Sequence, residues 1–344
     1  MSDLQIALVG IGILVVGGVY AFNLWQERKL RQRLEKAFGG ERDDALLKKA
    51  APEAADPAEP RIEPRIGGES VAAVAAPAAG GADPLIEFVA SIESAAPVGD
   101  AALRELLSQL ATFGKPARVL GRDDRGSWRV LDRGSHAGCR TLQAALQLVN
   151  RSGPLHAPQL NGFCDALRAW GAKHGAAVET ADTAAALEAA RELDAFCGDM
   201  DVAIGINVVA PPGSAFSTEQ VAEAAAAAGF SLEPDGLFHS VDAEGRTLFT
   251  MESHEPEPQA QQTSGMTLLL DVPRVADGIG VFDRMVEAGS AIAERLGGIV
   301  VDDNRTPLQQ AGLARIRQQL QDIHAAMAAR DIAAGSPRAQ RLFA

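Results

Sequence analysis

Asp201-Val202-Ala203-Ile204-Gly205-Ile206-Asn207-Val208-Val209, followed by the turn Ala210-Pro211-Pro212-Gly213, is the stretch from which the fold can be read. Side chains alternate across a strand, so Ile204, Ile206 and Val208 share one face while Ala203, Gly205 and Asn207 share the other. A strand with one bulky apolar face expects helices against that face only. Reading onward, Ser217 with Gln220 three residues later is a capping box that opens a helix over 218–228, which Gly229 ends. Strands over 237–241 and 246–251 are joined by the hairpin signal Asp242-Ala243-Glu244-Gly245. A further strand spans 265–272, a helix 281–296, and Gly297-Gly298 caps that helix before a short strand at 299–301. Thr306-Pro307 with Gln310 predicts the start of a last helix, whose buried stripe is Leu308, Ile316, Leu320, Ile323 and Met327.

The same succession stands upstream. A strand over 85–92 leads to Ala95-Ala96-Pro97-Val98-Gly99, which parallels residues 209–213. A helix over 101–112 ends at Phe113-Gly114, and a hairpin over 119–131 turns at Asp123-Asp124-Arg125-Gly126. Then come a strand at 141–149, a helix at 163–173, a strand at 176–179 and a helix at 183–196. The order β-α-β-β-β-α-β-α occurs twice, which predicts a tandem duplication, with 84–197 as the first module, 198–330 as the second, and 331–344 as a tail, the alternative being one larger α+β domain.

Ahead of both modules, Leu4 to Trp25 carries no charge and is long enough to span a bilayer as a transmembrane helix, 4–25. Arg28, Lys29, Arg31, Arg33 and Lys36 follow it, whereas a signal peptide would place its basic residues first. The expected topology is single-pass in a bacterial inner membrane, with a short periplasmic N-terminus and a cytoplasmic remainder. Gly17 and Ala21 have the small-xxx-small spacing of weak helix self-association. Residues 26–49 read as a charged juxtamembrane helix, and 50–83 as a Pro/Ala-rich disordered linker with too few large apolar residues to bury. Across 344 residues, 45 acidic against 32 basic side chains leave a net charge of −13, unsuited to neutralising phosphates, so no nucleic acid is expected. Three cysteines suit a reducing compartment. His136-x-x-Cys139 lacks a second ligand pair, and Asp302-Asp303 lacks further carboxylates and reads as a turn. No nucleophile, phosphate-loop or metal-site motif is present, so neither catalytic residues nor a cofactor nor a metal is expected.

The second module contains Ile206-Asn207-Val208, Gly229-Phe230, Leu248-Phe249, Gly265-Met266-Thr267 through Pro273, and above all Ile292-Ala293-x-x-Leu296-Gly297-Gly298-Ile299-Val300-Val301-Asp302-Asp303-x-Arg305-x-Pro307. In these segments it resembles the ZipA family of bacterial cell-division proteins. The layout of anchor, basic stop, linker and C-terminal module is similar to that family too, while a 34-residue linker is short for it and the module at 84–197 departs from it. The resemblance implies an α+β fold, a split β-α-β arrangement with an antiparallel sheet and helices on one face. It also implies that the other face takes the C-terminal peptide of FtsZ. Here that face would carry Ala203, Gly205, Asn207, Thr250, Glu252, His254, Thr267, Leu269 and Asp271. Leu269 is the one large apolar residue among them, and Glu252 with Asp271 would meet a basic peptide residue. The implied function is to bind the FtsZ tail and tether the division ring to the inner membrane. The alternative is an anchored envelope or divisome bridge without FtsZ binding.

Overall fold

Alternation of the kind seen at 203–209 builds two antiparallel sheets in the computed structural model, which describes residues 81–136, 138–255 and 261–344. The expected transmembrane helix, the juxtamembrane helix and nearly all of the linker lie outside the described residues. Among the described residues no helix is long and apolar enough to cross a membrane.

In the first module, β1 (Glu87–Ser94), β2 (Ala117–Arg122), β3 (Trp128–Leu131), β4 (Thr141–Gln147) and β5 (Ala176–Thr180) lie in the order β3-β2-β4-β1-β5. Helices α1 (Asp100–Leu110), α2 (Ala157–His174) and α3 (Thr183–Met200) belong to this module. In the second, β6 (Ala203–Val209), β7 (Phe238–Val241), β8 (Thr247–Ser253), β9 (Gly265–Asp271) and β10 (Ile299–Val301) lie in the order β7-β8-β9-β6-β10, with Ser231–Leu232 added beyond β7. Its helices are α4 (Thr218–Ala227), α5 (Gly278–Leu296) and α6 (Gln310–Ala329).

Two of the start and stop signals act as read. Ser217 accepts from the Gln220 amide while the Gln220 side chain accepts from the Ser217 amide, and Gly297 ends α5 at φ +68°. Each sheet buries its apolar face under its helices: Phe88, Ala90 and Ile92 with Phe163 and Trp170 in one core, Ile204, Ile206 and Val208 with Phe282, Met285 and Ile292 in the other.

Three features differ from the sequence reading. The first is the hairpin. In the second module its later strand, β8, pairs with β9, whereas in the first its earlier strand, β2, pairs with β4 and β3 becomes the edge. The inner strand is in each case the more apolar one. Val119, Leu120 and Gly121 of β2 are buried, while Val130 of β3 is 56% exposed. Residues 132–140 then have to cross from β3 past β2 to β4, and Cys139 packs over Gly121 so closely that a Cβ there would lie 2.7 Å from its sulfur.

The second is the last helix. Thr306-Pro307 does not open it. Asp302 accepts from the Asn304 and Thr306 amides, Pro307 bridges to Val301, and α6 starts only at Gln310. The third is the segment 331–344, read as a tail. It forms helix α7 (Pro337–Leu342) and buries Ile332, Ala339, Leu342 and Phe343 in the core of the first module. The described part of the chain thus runs from first module to second and returns to the first.

Candidate peptide-binding face

The side of the second sheet away from its helices is assembled by strand register. Gly205 on β6 stands opposite Leu269 on β9, which stands opposite Thr250 on β8. In the next row Asn207, Thr267 and Glu252 are aligned, and beyond Gly205 the pair Ala203–Asp271 completes the face. His254 continues from β8, its amide donating to the Gly265 carbonyl. All nine residues expected from the sequence therefore fall on one continuous surface.

Its middle is apolar and shallow. Leu269 is 44% exposed, and beside it Gly205 leaves a depression where an added Cβ would find only ordinary contacts, at 3.6 Å, with Thr267 and Asp303. Exposed leucine surface of this kind gains about 25 cal/mol per Å² when a partner covers it.

Its two ends are polar, and each is already engaged. At one end the Thr267 hydroxyl donates to Asn207 Oδ1 at 2.6 Å, Asn207 Nδ2 donates to Asp303 Oδ1 at 3.2 Å, and His254 Nε2 lies 3.1 Å from Thr267 Oγ1. A notch of about 220 Å³ opens here, lined by Asn207, His254, Asp302, Asp303 and Arg305 among others. Burial pulls the His254 imidazole below its ordinary pKa, Glu255 opposes this and Arg305 adds to it, so the ring is neutral near pH 7. At the other end Arg151, from the first module, donates to Asp271 at 2.7 Å and to Asp201 at 2.8 Å. Between two carboxylates this guanidinium is held firmly charged. Asp271 is thus matched within the chain, and Glu252, which is exposed, is the acid left open to a basic group of a partner.

Sequence reasoning missed Val209, Ile299, Asp303 and Arg305 on this surface. Period two carried one step further would have found Val209, and its pairing with Ile299, 47% exposed, follows from the sheet order. Arg151 had no sequence signal, because its role depends on how the two modules pack. The motifs set aside as non-catalytic are placed as well. His136 lies 3.0 Å from Asp100, Cys139 is buried, and among the described residues no group of three metal-ligating side chains forms.

This face thus combines a small apolar centre, a backbone already paired into the sheet, and polar ends. Residues 202–319, about a third of the chain, match the family model of the ZipA C-terminal FtsZ-binding domain.

Proposed function

From the match of residues 202–319 to the family model of the ZipA C-terminal FtsZ-binding domain, we propose that this chain binds the C-terminal tail of FtsZ during bacterial cell division. The tail would lie on the open face of the second sheet, with an apolar side chain against Leu269 and over Gly205, and a basic one near Glu252. The single observation that supports this placement is the register that centres the exposed Leu269 between Gly205 and Thr250 on a face the helices leave open.

Residues 4–25 would anchor the protein in the inner membrane, with weak pairing through Gly17 and Ala21, and the linker would hold both modules in the cytoplasm. The mechanism is recruitment. Each contact is small, but a filament presents many tails to many anchors beneath one membrane, and effective concentration multiplies the affinity.

The test is co-sedimentation of the chain lacking residues 1–40 with FtsZ filaments. Pelleting that vanishes when FtsZ lacks its C-terminal tail supports the proposal. No pelleting with intact filaments would leave an anchored bridge between other envelope components as the better reading.

A further inference from the structure

Among the buried side chains, Lys115 has no part in either apolar core. It is 6% exposed and stands just ahead of β2, beneath the turn in which Val149 pairs with Pro154 and Asn150 with Gly153. Its ammonium donates to Asn150 Oδ1 and to the Gly153 carbonyl, each at 2.5 Å, and to the Ser152 hydroxyl at 3.2 Å. An ammonium has three protons, and all three are committed to this turn. Asn150 Oδ1 also accepts from the Ser152 amide and hydroxyl, and Gly153 supplies the φ of +106° at the turn's end. A cation removed from water costs stability unless it is matched this fully, so a lysine is a demanding way to close a turn.

The residue that this turn presents is Arg151. Its Nε and Nη2 donate to Asp201, where α3 ends, and Nη2 also donates to Asp271, the last residue of β9. The side chain is 36% exposed. Asp271 stands two residues from Leu269 on the same face, about 7 Å along the strand. The open face of the second sheet therefore carries an acid on each side of the Leu269–Thr250 row, Glu252 and Asp271. Glu252 is exposed and unpaired among the described residues, whereas Asp271 is closed by a cation that comes from the first module. Without Arg151, Asp201 and Asp271 would be two bare carboxylates, and a basic group of a partner would be attracted to both ends of the face.

We infer that Arg151, positioned by Lys115, fixes which way round a bound FtsZ tail lies, directing its basic side chain to Glu252 and away from Asp271. A guanidinium held in place repels an incoming cation at close range, while the open carboxylate of Glu252 attracts it. The first module is then part of the binding site, although it lies outside the family match at 202–319. This inference rests on the proposed binding of the tail to the open face, and adds the direction in which the tail runs.

The test uses the full chain in detergent micelles and an FtsZ C-terminal peptide carrying a benzophenone at one end or at the other. Adducts are mapped by mass spectrometry to the Glu252 end, 252–254, or to the Asp271 end, 271–274. In the intact chain each label should favour one end by about tenfold, and the two labels should favour opposite ends. Arg151→Gln should bring both ratios close to unity. Lys115→Met should do the same although Arg151 is still present, whereas unchanged ratios in folded Lys115→Met would overturn the positioning role of the lysine. Circular dichroism shows which variants fold, and if Lys115→Met does not, Arg151→Gln decides alone. Unchanged ratios in folded Arg151→Gln, or an intact chain labelled equally at both ends, overturn the inference and leave binding of the tail standing. No binding by the intact chain overturns both.

Discussion

Ile206 and Thr250 lie in the same sheet and face opposite ways, and that difference sets what each is worth. Ile206 is fully buried, and its Cδ1 sits 3.1 Å from where a Cβ on Gly289 of α5 would be, so the helix closes directly onto it. Ile206→Ala leaves a cavity that the backbone of α5 is poorly placed to fill, and should cost about 2–5 kcal/mol in urea melts. Thr250→Ala, on the open face, should change stability by about 0.5 kcal/mol or less in the same melts. The reverse order would mean that the two faces are exchanged. Leu269 has the opposite character: little stability and much recognition. Leu269→Lys puts an ammonium where a partner's apolar side chain has to lose water, and should weaken binding of a labelled FtsZ C-terminal peptide at least tenfold, about 1.4 kcal/mol. Fluorescence anisotropy reads the affinity and circular dichroism confirms the fold. Unchanged affinity in the folded variant would move the groove elsewhere.

At the level of the elements, the sequence was most legible where one strand or helix carries its own signal. Alternation assigned both faces of β6, and the Ser217 box and Gly297 set the limits of α4 and α5. It was least legible where a choice depends on neighbours. The reversed hairpin order follows from which strand is apolar on both sides, a comparison between β2 and β3 that no single strand reveals. The true start of α5 was missed because its cap, Asp277, accepts from Gly280 in a glycine-rich turn without helical periodicity. That turn has a consequence. His324 of α6 packs against Gly278, where a Cβ would come within 2.6 Å of Nε2, and this nitrogen is buried without a hydrogen-bond partner. Burial lowers the His324 pKa from its ordinary 6.5, and the Val272 carbonyl and the Asp277 charge only partly oppose it. A ring that stays neutral in the fold costs nothing above pH 6.5. As pH falls below that value the unfolded chain takes up the proton first, and stability is lost until the lower folded pKa is passed. Unfolding by urea should therefore become easier between about pH 7 and pH 5, and His324→Gln should reduce that slope. An identical slope in the variant would show that the loss arises at other groups.

For the molecule as a whole, the return of the chain from the second module to the first decides how the two behave. Glu87, whose side chain is fully buried, meets Arg118 at 2.6 Å from its own sheet and Arg341 at 2.5 Å from α7, while the Gln147 side chain donates to the Arg341 carbonyl. Burial raises the Glu87 pKa, but the hydrogen bonds from Arg118 and then Arg341 outweigh it, and the net shift is downward. The stability from this pairing is thus fully present above the ordinary carboxylate value of 4.5 and is lost as pH falls through the lower folded value. Leu342 and Phe343 add apolar burial beside it. Removing residues 337–344 deletes both contributions and leaves Glu87 with one cation where it had two. Losing the aromatic ring alone costs about 3–5 kcal/mol at a buried site, and an undercompensated buried acid adds to it. The deletion should therefore lower the melting temperature and strip hydrogen-exchange protection from β1 and β4, although no residue of the first module has been changed. Protection in β6 and β9 should persist, because their core is built from α4, α5 and the first turns of α6. If exchange in β1 and β4 stayed as in the intact chain, residues 337–344 would be dispensable to the core of the first module. If it rises as expected, the second module is coupled to the first through packed side chains and buried ion pairs.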